Sequence, residues 1–214
     1  VGRFFLLPFK NTSVEFAREF GIGFAGSYGR ERGALSKYVT DGQSTFFSYV
    51  AAATASGAHY RFTPQAYYYE GPFGLLADYV DDKQTVNLAN KTSTFSNHAW
   101  QVQASYLLTG DDATYCGVKP RRPFDPVEGN WGAFEIKARV GGLGVDSDIF
   151  KDGFASISTS ARTATEWGGG FNWYLNQNFK LQADYVRTFF DKGAPGGKDR
   201  KDESAILTQL QIAF

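Results

Sequence analysis

The chain has 214 residues with 22 basic and 22 acidic side chains, so its formal net charge is zero. That balance argues against a nucleic-acid binder, which carries a basic excess. Apolar residues make up 43%, yet no stretch approaches the ~20 consecutive apolar residues of a membrane-spanning helix. Instead there are 20 Phe, 12 Tyr, 4 Trp and 24 Gly, a composition that suits alternating strands. Cys116 is the single cysteine, which excludes an intrachain disulfide and a cysteine metal cluster. With no Met and no signal peptide at residue 1, the sequence predicts a chain that starts inside a processed or truncated protein.

In chain order, residues 1–9 form a short apolar stretch, the tail of a strand whose start is missing. Residues 18–28 set Phe20, Ile22, Phe24 and Tyr28 on one face and Gly21, Gly23, Ala25 and Ser27 on the other. This is period two, the signature of a strand. Residues 30–43 are charged and aperiodic, so they read as a loop. Residues 45–54 read as a strand, and Ser56-Gly57 as the tight turn after it. In 60–69, Tyr60, Phe62, Ala66 and Tyr68 oppose Arg61, Thr63, Gln65 and Tyr67. Pro64 withdraws one ladder donor there. GPFG at 71–74 is a turn, 75–86 continues as a strand, and polar 87–97 reads as a loop.

The cleanest alternation is 99–108, where Trp100, Val102, Ala104, Tyr106 and Leu108 alternate with Gln101, Gln103 and Ser105. A long connection follows (109–130), then a strand at 131–140 and a second long loop at 141–162. The segment 164–175 is a strand, 176–178 a turn, 179–190 a strand and 191–203 a loop. The last stretch, SAILTQLQIAF at 204–214, alternates again and stops on Phe214. The count is nine strands plus the amino-terminal stub, with no helix.

The fold class expected is all-β, an antiparallel transmembrane β-barrel in one domain over 1–214. Trp, Tyr and Phe lie near strand ends on the apolar face, as aromatic girdles require. Gln, Arg, Lys, Glu and Asn occupy the other face. The strands are long enough to cross a bilayer when tilted. An apolar carboxy-terminal aromatic is common in outer-membrane barrels, and that likeness implies an assembly signal in the last strand. Placing Phe214 at the periplasmic end puts 191–203 and 141–162 outside and 176–178 inside. It also forces the long segments 109–130 and 30–43 inside and the tight 55–58 outside, against the usual pattern of short periplasmic turns and long outer loops.

The chemical motifs are weak. GIGFAG at 21–26 matches a dinucleotide fingerprint, but no helix opens after it; small residues on a crowded inner face explain Gly21 and Gly23 better. His59 and His98 are isolated, so no metal site is expected. Asp81-Asp82 and Asp111-Asp112 read as solvated turns, and no nucleophile–base arrangement points to an enzyme. No cofactor is implied. GVKPRRPFDP at 117–126 is the most distinctive segment. Its Lys119, Arg121 and Arg122 could contact an anion, or serve a rigid connection in which the arginines pair with Asp125 and neighbouring carboxylates.

Seven stretches, in the same order over nearly the whole chain, resemble the phosphate-selective porin O and P family. They are GFAGSYG (23–29), STFFSYVAAATASGAHYRFTPQAYYYEGPFGLLADYV (44–80), AWQVQASYLLTG (99–110), GVKPRRPFDP, WGAFEIKAR (131–139), FNWYLNQNFKLQADY (171–185) and LTQLQIAF (207–214). The resemblance implies a sixteen-stranded trimeric porin in the outer membrane of a Gram-negative bacterium. Such a porin passes small inorganic anions and sits among outer-membrane lipid and lipopolysaccharide. It further implies that this chain is the carboxy-terminal part. The pore-lining cations read from strand faces are Arg61, Lys137, Arg139 and Lys180, with Asp78, Glu135, Glu166 and Asp184 on the same side. The balance of signs predicts a modest anion preference. The other reading is a non-porin barrel with a structural or adhesive role in its outer loops.

Overall fold

The structure is a computed structural model that describes residues 1–213; Phe214 lies outside the described residues. Twelve strands follow one another: β1 (Gly2–Leu6), β2 (Phe20–Gly33), β3 (Tyr38–Val39), β4 (Thr45–Phe47), β5 (Ala53–Glu70), β6 (Phe73–Leu88), β7 (Lys91–Leu107), β8 (Ala133–Gly144), β9 (Ala161–Tyr174), β10 (Phe179–Ala194), β11 (Lys198–Asp199) and β12 (Glu203–Ile212). Among the described residues there are one short α-helix, α1 (Ser147–Lys151), and two 3-10 turns, at Glu15–Ala17 and Pro195–Gly197. The α-helix opens on Asp146, whose side chain accepts from the Asp148 amide. Ten strands form one antiparallel sheet in the order β1-β2-β5-β6-β7-β8-β9-β10-β11, with β12 also paired to β10. Every long strand pairs with its neighbour in sequence, so the sheet is a continuous up-and-down meander. Its two ends, β1 and β12, are not paired with each other, and the barrel is open.

Two expectations about strands are corrected. Residues 45–54 are not a wall strand. Thr45–Phe47 is extended but pairs with Tyr38–Val39 in a small separate sheet, and the wall strand β5 begins only at Ala53. Phe46 and Phe47 are both buried, which a strand with one wet face would not allow; the apolar pair belongs to a folded connection. Ser56-Gly57 is not a turn either. It lies inside β5 at an irregularity, where the register to β6 shifts between Ala55 and His59. Gly57 has φ 149° there, a conformation in which a side chain is strained, and a Cβ would press on Thr85.

The expected loop at 87–97 is a two-residue turn at Ala89-Asn90, with strand on both sides. Its polar run consists of cross-strand pairs such as Thr85–Thr94 (3.1 Å) and Asn87–Thr92 (2.9 Å), where the hairpin extends past the apolar zone. Pro64 costs pairing as expected: the ladder between β5 and β6 lapses after Phe62–Asp81 and resumes at Gln65–Asp78 in the same register.

Losing one strand upstream of β5 reverses the end assigned to everything before it. Residues 34–52 therefore lie at the same end as 145–160 and 195–202, not with 109–130. The supposed tight outer turn at 55–58 disappears. The connections 34–52, 145–160 and 195–202 now gather at one end; the exceptions are 7–19 and 108–132 at the other end and the tight turn 89–90 among the long loops.

The buried core is not in the middle of the sheet but at that long-loop end. Phe46 and Phe47 pack with Val86, Phe95, Ile149, Phe154 and Phe190. The contributors are the 34–52 connection, the α1 segment and the inward side chains of β6, β7 and β10. Val50 donates to the Phe154 carbonyl (2.9 Å) and Ser160 Oγ to that of Ser48 (2.9 Å). Burial pushes the phenols of Tyr38 and Tyr49 above the usual tyrosine range, with Asp82 adding to the shift at Tyr38.

Candidate functional site

The pleat divides the sheet into two faces of opposite character. Along β7, Trp100, Val102, Tyr106 and the following Leu108 are exposed. They cover about 26 Å of strand, the scale of the ~25 Å apolar band of a transmembrane barrel. The same face carries Phe24, Phe62, Leu75, Ile136, Val140, Phe171, Leu181 and Tyr185, all exposed. Phe134 and Trp173 stack on this face at 5.5 Å and are half covered by Phe124 from the 108–132 connection. A water-soluble protein rarely shows so extended an apolar surface. Tyr28, Tyr60, Tyr79, Trp100 and Trp167 border it towards the long-loop end.

The opposite face is polar and crowded. Gly21 and Gly23 belong here for want of room: a Cβ on Gly21 would collide with the Tyr67 ring, and one on Gly23 would meet Phe5 at 2.5 Å. Arg61, Lys137, Arg139 and Lys180 all lie on this face, but three of them are neutralised by neighbouring strands. Arg61 donates to Asp82 (3.2 Å), which also contacts buried His59; the second ring nitrogen of His59 is 2.8 Å from Glu31. Arg139 donates to Glu166 (2.5 Å) and to Asp41.

Lys137 bonds Asp184 (3.0 Å) across β9. The two face each other because Gly170 stands between them in the register and has no side chain to intervene. Glu135, the neighbour that sequence spacing assigns to Lys137, is engaged elsewhere. It accepts from Tyr174 Oη (2.7 Å) and Asn172 Nδ2 (2.6 Å). Among the described residues Lys180 has no carboxylate partner; it lies 5.8 Å from the Tyr174 ring centre.

Two connections fold across this face. At the long-loop end, Asp41 reaches Arg139 on β8 and Thr40 Oγ1 donates to Glu203 on β12 (2.8 Å). Arg200 donates to the Thr45 carbonyl (2.8 Å). A segment leaving β2 can touch β12 in this way only if the sheet curls around it. Below the inserted tip is a cavity lined by Asp41, Lys137, Arg139, Gln182 and Asp184. At the other end, 108–132 turns inward. Ala113 is buried with Leu107 and Ala133, and Tyr115 packs on Phe5, Tyr67 and Tyr69 with centroids at 4.8–6.3 Å.

The proline-rich segment is a brace. Asp111 accepts from the Arg121 amide (2.6 Å), and Arg121 pairs with Asp112 (2.9 Å), which holds its guanidinium above the usual range. Asp125 is not an arginine partner, as sequence suggested; it caps the Val127 and Glu128 amides. Lys119 and Arg122 have no ion-pair partner among the described residues, and the three cations do not converge.

Sequence reasoning missed Arg3, Asp41 and Glu203. Arg3 donates to Tyr115 (2.8 Å) and Gln65 (3.1 Å) on the polar face. The only available signal was its place between Gly2 and Phe4 in a short apolar stretch. Asp41 and Glu203 lie in charged segments with no period, so nothing local marked them.

An antiparallel meander with one lipid-compatible face, and a polar face crossed by its own connections, defines the wall of a transmembrane β-barrel. The comparisons agree. The profile of the family described as "Phosphate-selective porin O and P" matches residues 38–214, and the chain belongs to that family. It is 29% identical over 149 residues to "Porin O" of Pseudomonas aeruginosa, a stretch that takes in 67% of this chain and 33% of that protein. The chain thus matches about a third of the length of this curated relative. As a member of this porin family it is an outer-membrane protein of a Gram-negative bacterium.

Proposed function

We propose that this chain is the carboxy-terminal part of an outer-membrane porin, and that its polar face lines a water-filled channel for small solutes with a modest preference for anions such as phosphate. The observation that carries the reading is the pair of opposed faces. A soluble β-protein has no use for an apolar exterior combined with buried ion pairs and loops on the other side. Unpaired edge groups cost several kcal/mol each in lipid, so β1 and β12 require strand partners, which further strands of a longer protein supply. Ten strands enclose little more than side chains, whereas sixteen leave a channel.

The preference is modest because Arg61, Lys137 and Arg139 each face carboxylates, while Lys180 and Arg3, without a carboxylate partner among the described residues, are set against Asp78 and Glu135, whose bonds are to neutral groups. Fixed cations favour anions because they compensate part of the lost hydration. Outer-membrane lipid and lipopolysaccharide surround the apolar face, and three copies form the assembled porin. The reading makes the protein a channel and not an enzyme. Full-length protein in planar bilayers under a KCl gradient tests it. The expected reversal potential has the sign of anion preference and moves towards zero in Lys180→Ala. Absence of any conductance would favour a structural or adhesive barrel, and cation selectivity would refute the anion assignment.

A further inference from the structure

Under the inward fold of 113–118 lies a second cavity, about 340 Å³, against the polar face of β7, β8, β9 and β10. That volume is within the ~300–1,000 Å³ of small-molecule pockets. Resting on the channel reading above, we propose that this cavity is a binding subsite for hydroxylated organic anions of the sugar-acid class, rather than for bare inorganic ions.

The lining carries both signs of hydrogen-bonding demand. Lys180, Lys137, Gln103 and Gln182 offer donors, while Glu135 offers an acceptor. An inorganic oxyanion is served by donors alone, and a carboxylate in its wall repels it. A ligand that is anionic at one end and rich in hydroxyls elsewhere satisfies both.

Glu135 sharpens the point. Its Oε2 accepts from the Asn172 amide (2.6 Å) and the Tyr174 hydroxyl (2.7 Å), which leaves Oε1 to accept from a ligand hydroxyl. A carboxylate oxygen without a donor is costly to desolvate, and a ligand hydroxyl supplies that donor. Lys180, without a carboxylate partner among the described residues, is the group that takes the ligand's negative end. Tyr69, Tyr115 and Tyr174 add ring faces for the carbon skeleton.

The test is calorimetric titration of the full-length protein in detergent with gluconate, acetate and inorganic phosphate as probes. Gluconate should bind saturably and acetate should not. Equimolar phosphate should not displace the gluconate. In Lys180→Gln the gluconate affinity should fall roughly tenfold or more, as for loss of a charged hydrogen bond. No gluconate heat, displacement of gluconate by equimolar phosphate, or affinity unchanged in Lys180→Gln would each overturn the proposal. Binding in detergent needs no conduction, so failure of the channel reading would show in the bilayer and failure of the subsite would show here.

Discussion

At the scale of single residues, the cations fall into two groups that sequence alone could not separate. Arg61, Lys137, Arg139 and Lys180 share the polar face of the sheet, because period two fixes the face. Which carboxylate meets which cation depends on register between strands, and that is not written locally. Lys137 is two residues from Glu135 but bonds Asp184, because Gly170 lies between them. The consequence is testable. Arg139→Ala removes the partner of both Asp41 and Glu166, so the reversal potential of the full-length porin should move clearly towards cation preference. Arg61→Ala should move it less, because it leaves one carboxylate, Asp82, without its arginine rather than two. On the outer face, Val102→Arg or Ile136→Arg should cost roughly 2–4 kcal/mol of folding stability in bilayers. Gln103→Arg should cost much less, as measured by denaturant titration in lipid vesicles.

At the scale of elements, the 34–52 connection is held by hydrophobic burial as well as by ion pairs. Phe47 is fully buried in its core. Phe47→Ala should therefore destabilise the inserted segment by about 3–5 kcal/mol, seen as protease cleavage within 34–52 and as larger, noisier single-channel conductance. The buried phenols make the segment sensitive to alkali. Tyr38 and Tyr49 have folded-state values above the ~10 of an exposed tyrosine, so their contribution is intact below pH 10. It is lost as pH rises through the folded values, and cleavage of 34–52 should increase there. This element was the least legible in the sequence. Two adjacent phenylalanines among small residues look like a strand, and only their joint burial shows otherwise. Conversely, the polar hairpin of β6 and β7 was hidden because its outward residues beyond Tyr79 carry no apolar alternation.

At the scale of the molecule, alternation was enough to identify an antiparallel barrel wall, and the meander order follows from it. The parity of the strands was not, because one false strand reverses every end upstream. Correcting it gathers 34–52, 145–160 and 195–202 together, as long outer loops require. Expressed alone, residues 1–214 should not give the heat-modifiable folded form, since the outer edges of β1 and β12 stay unpaired, whereas the proposed longer porin should.

The central claim is that the polar face of the sheet is the channel wall. Thiol accessibility at two adjacent positions of β7 tests it most directly, with Cys116→Ser as the background. A charged, membrane-impermeant thiol reagent should reduce the conductance of Gln103→Cys channels and leave Val102→Cys channels unchanged. Block at Val102→Cys with none at Gln103→Cys would contradict the account.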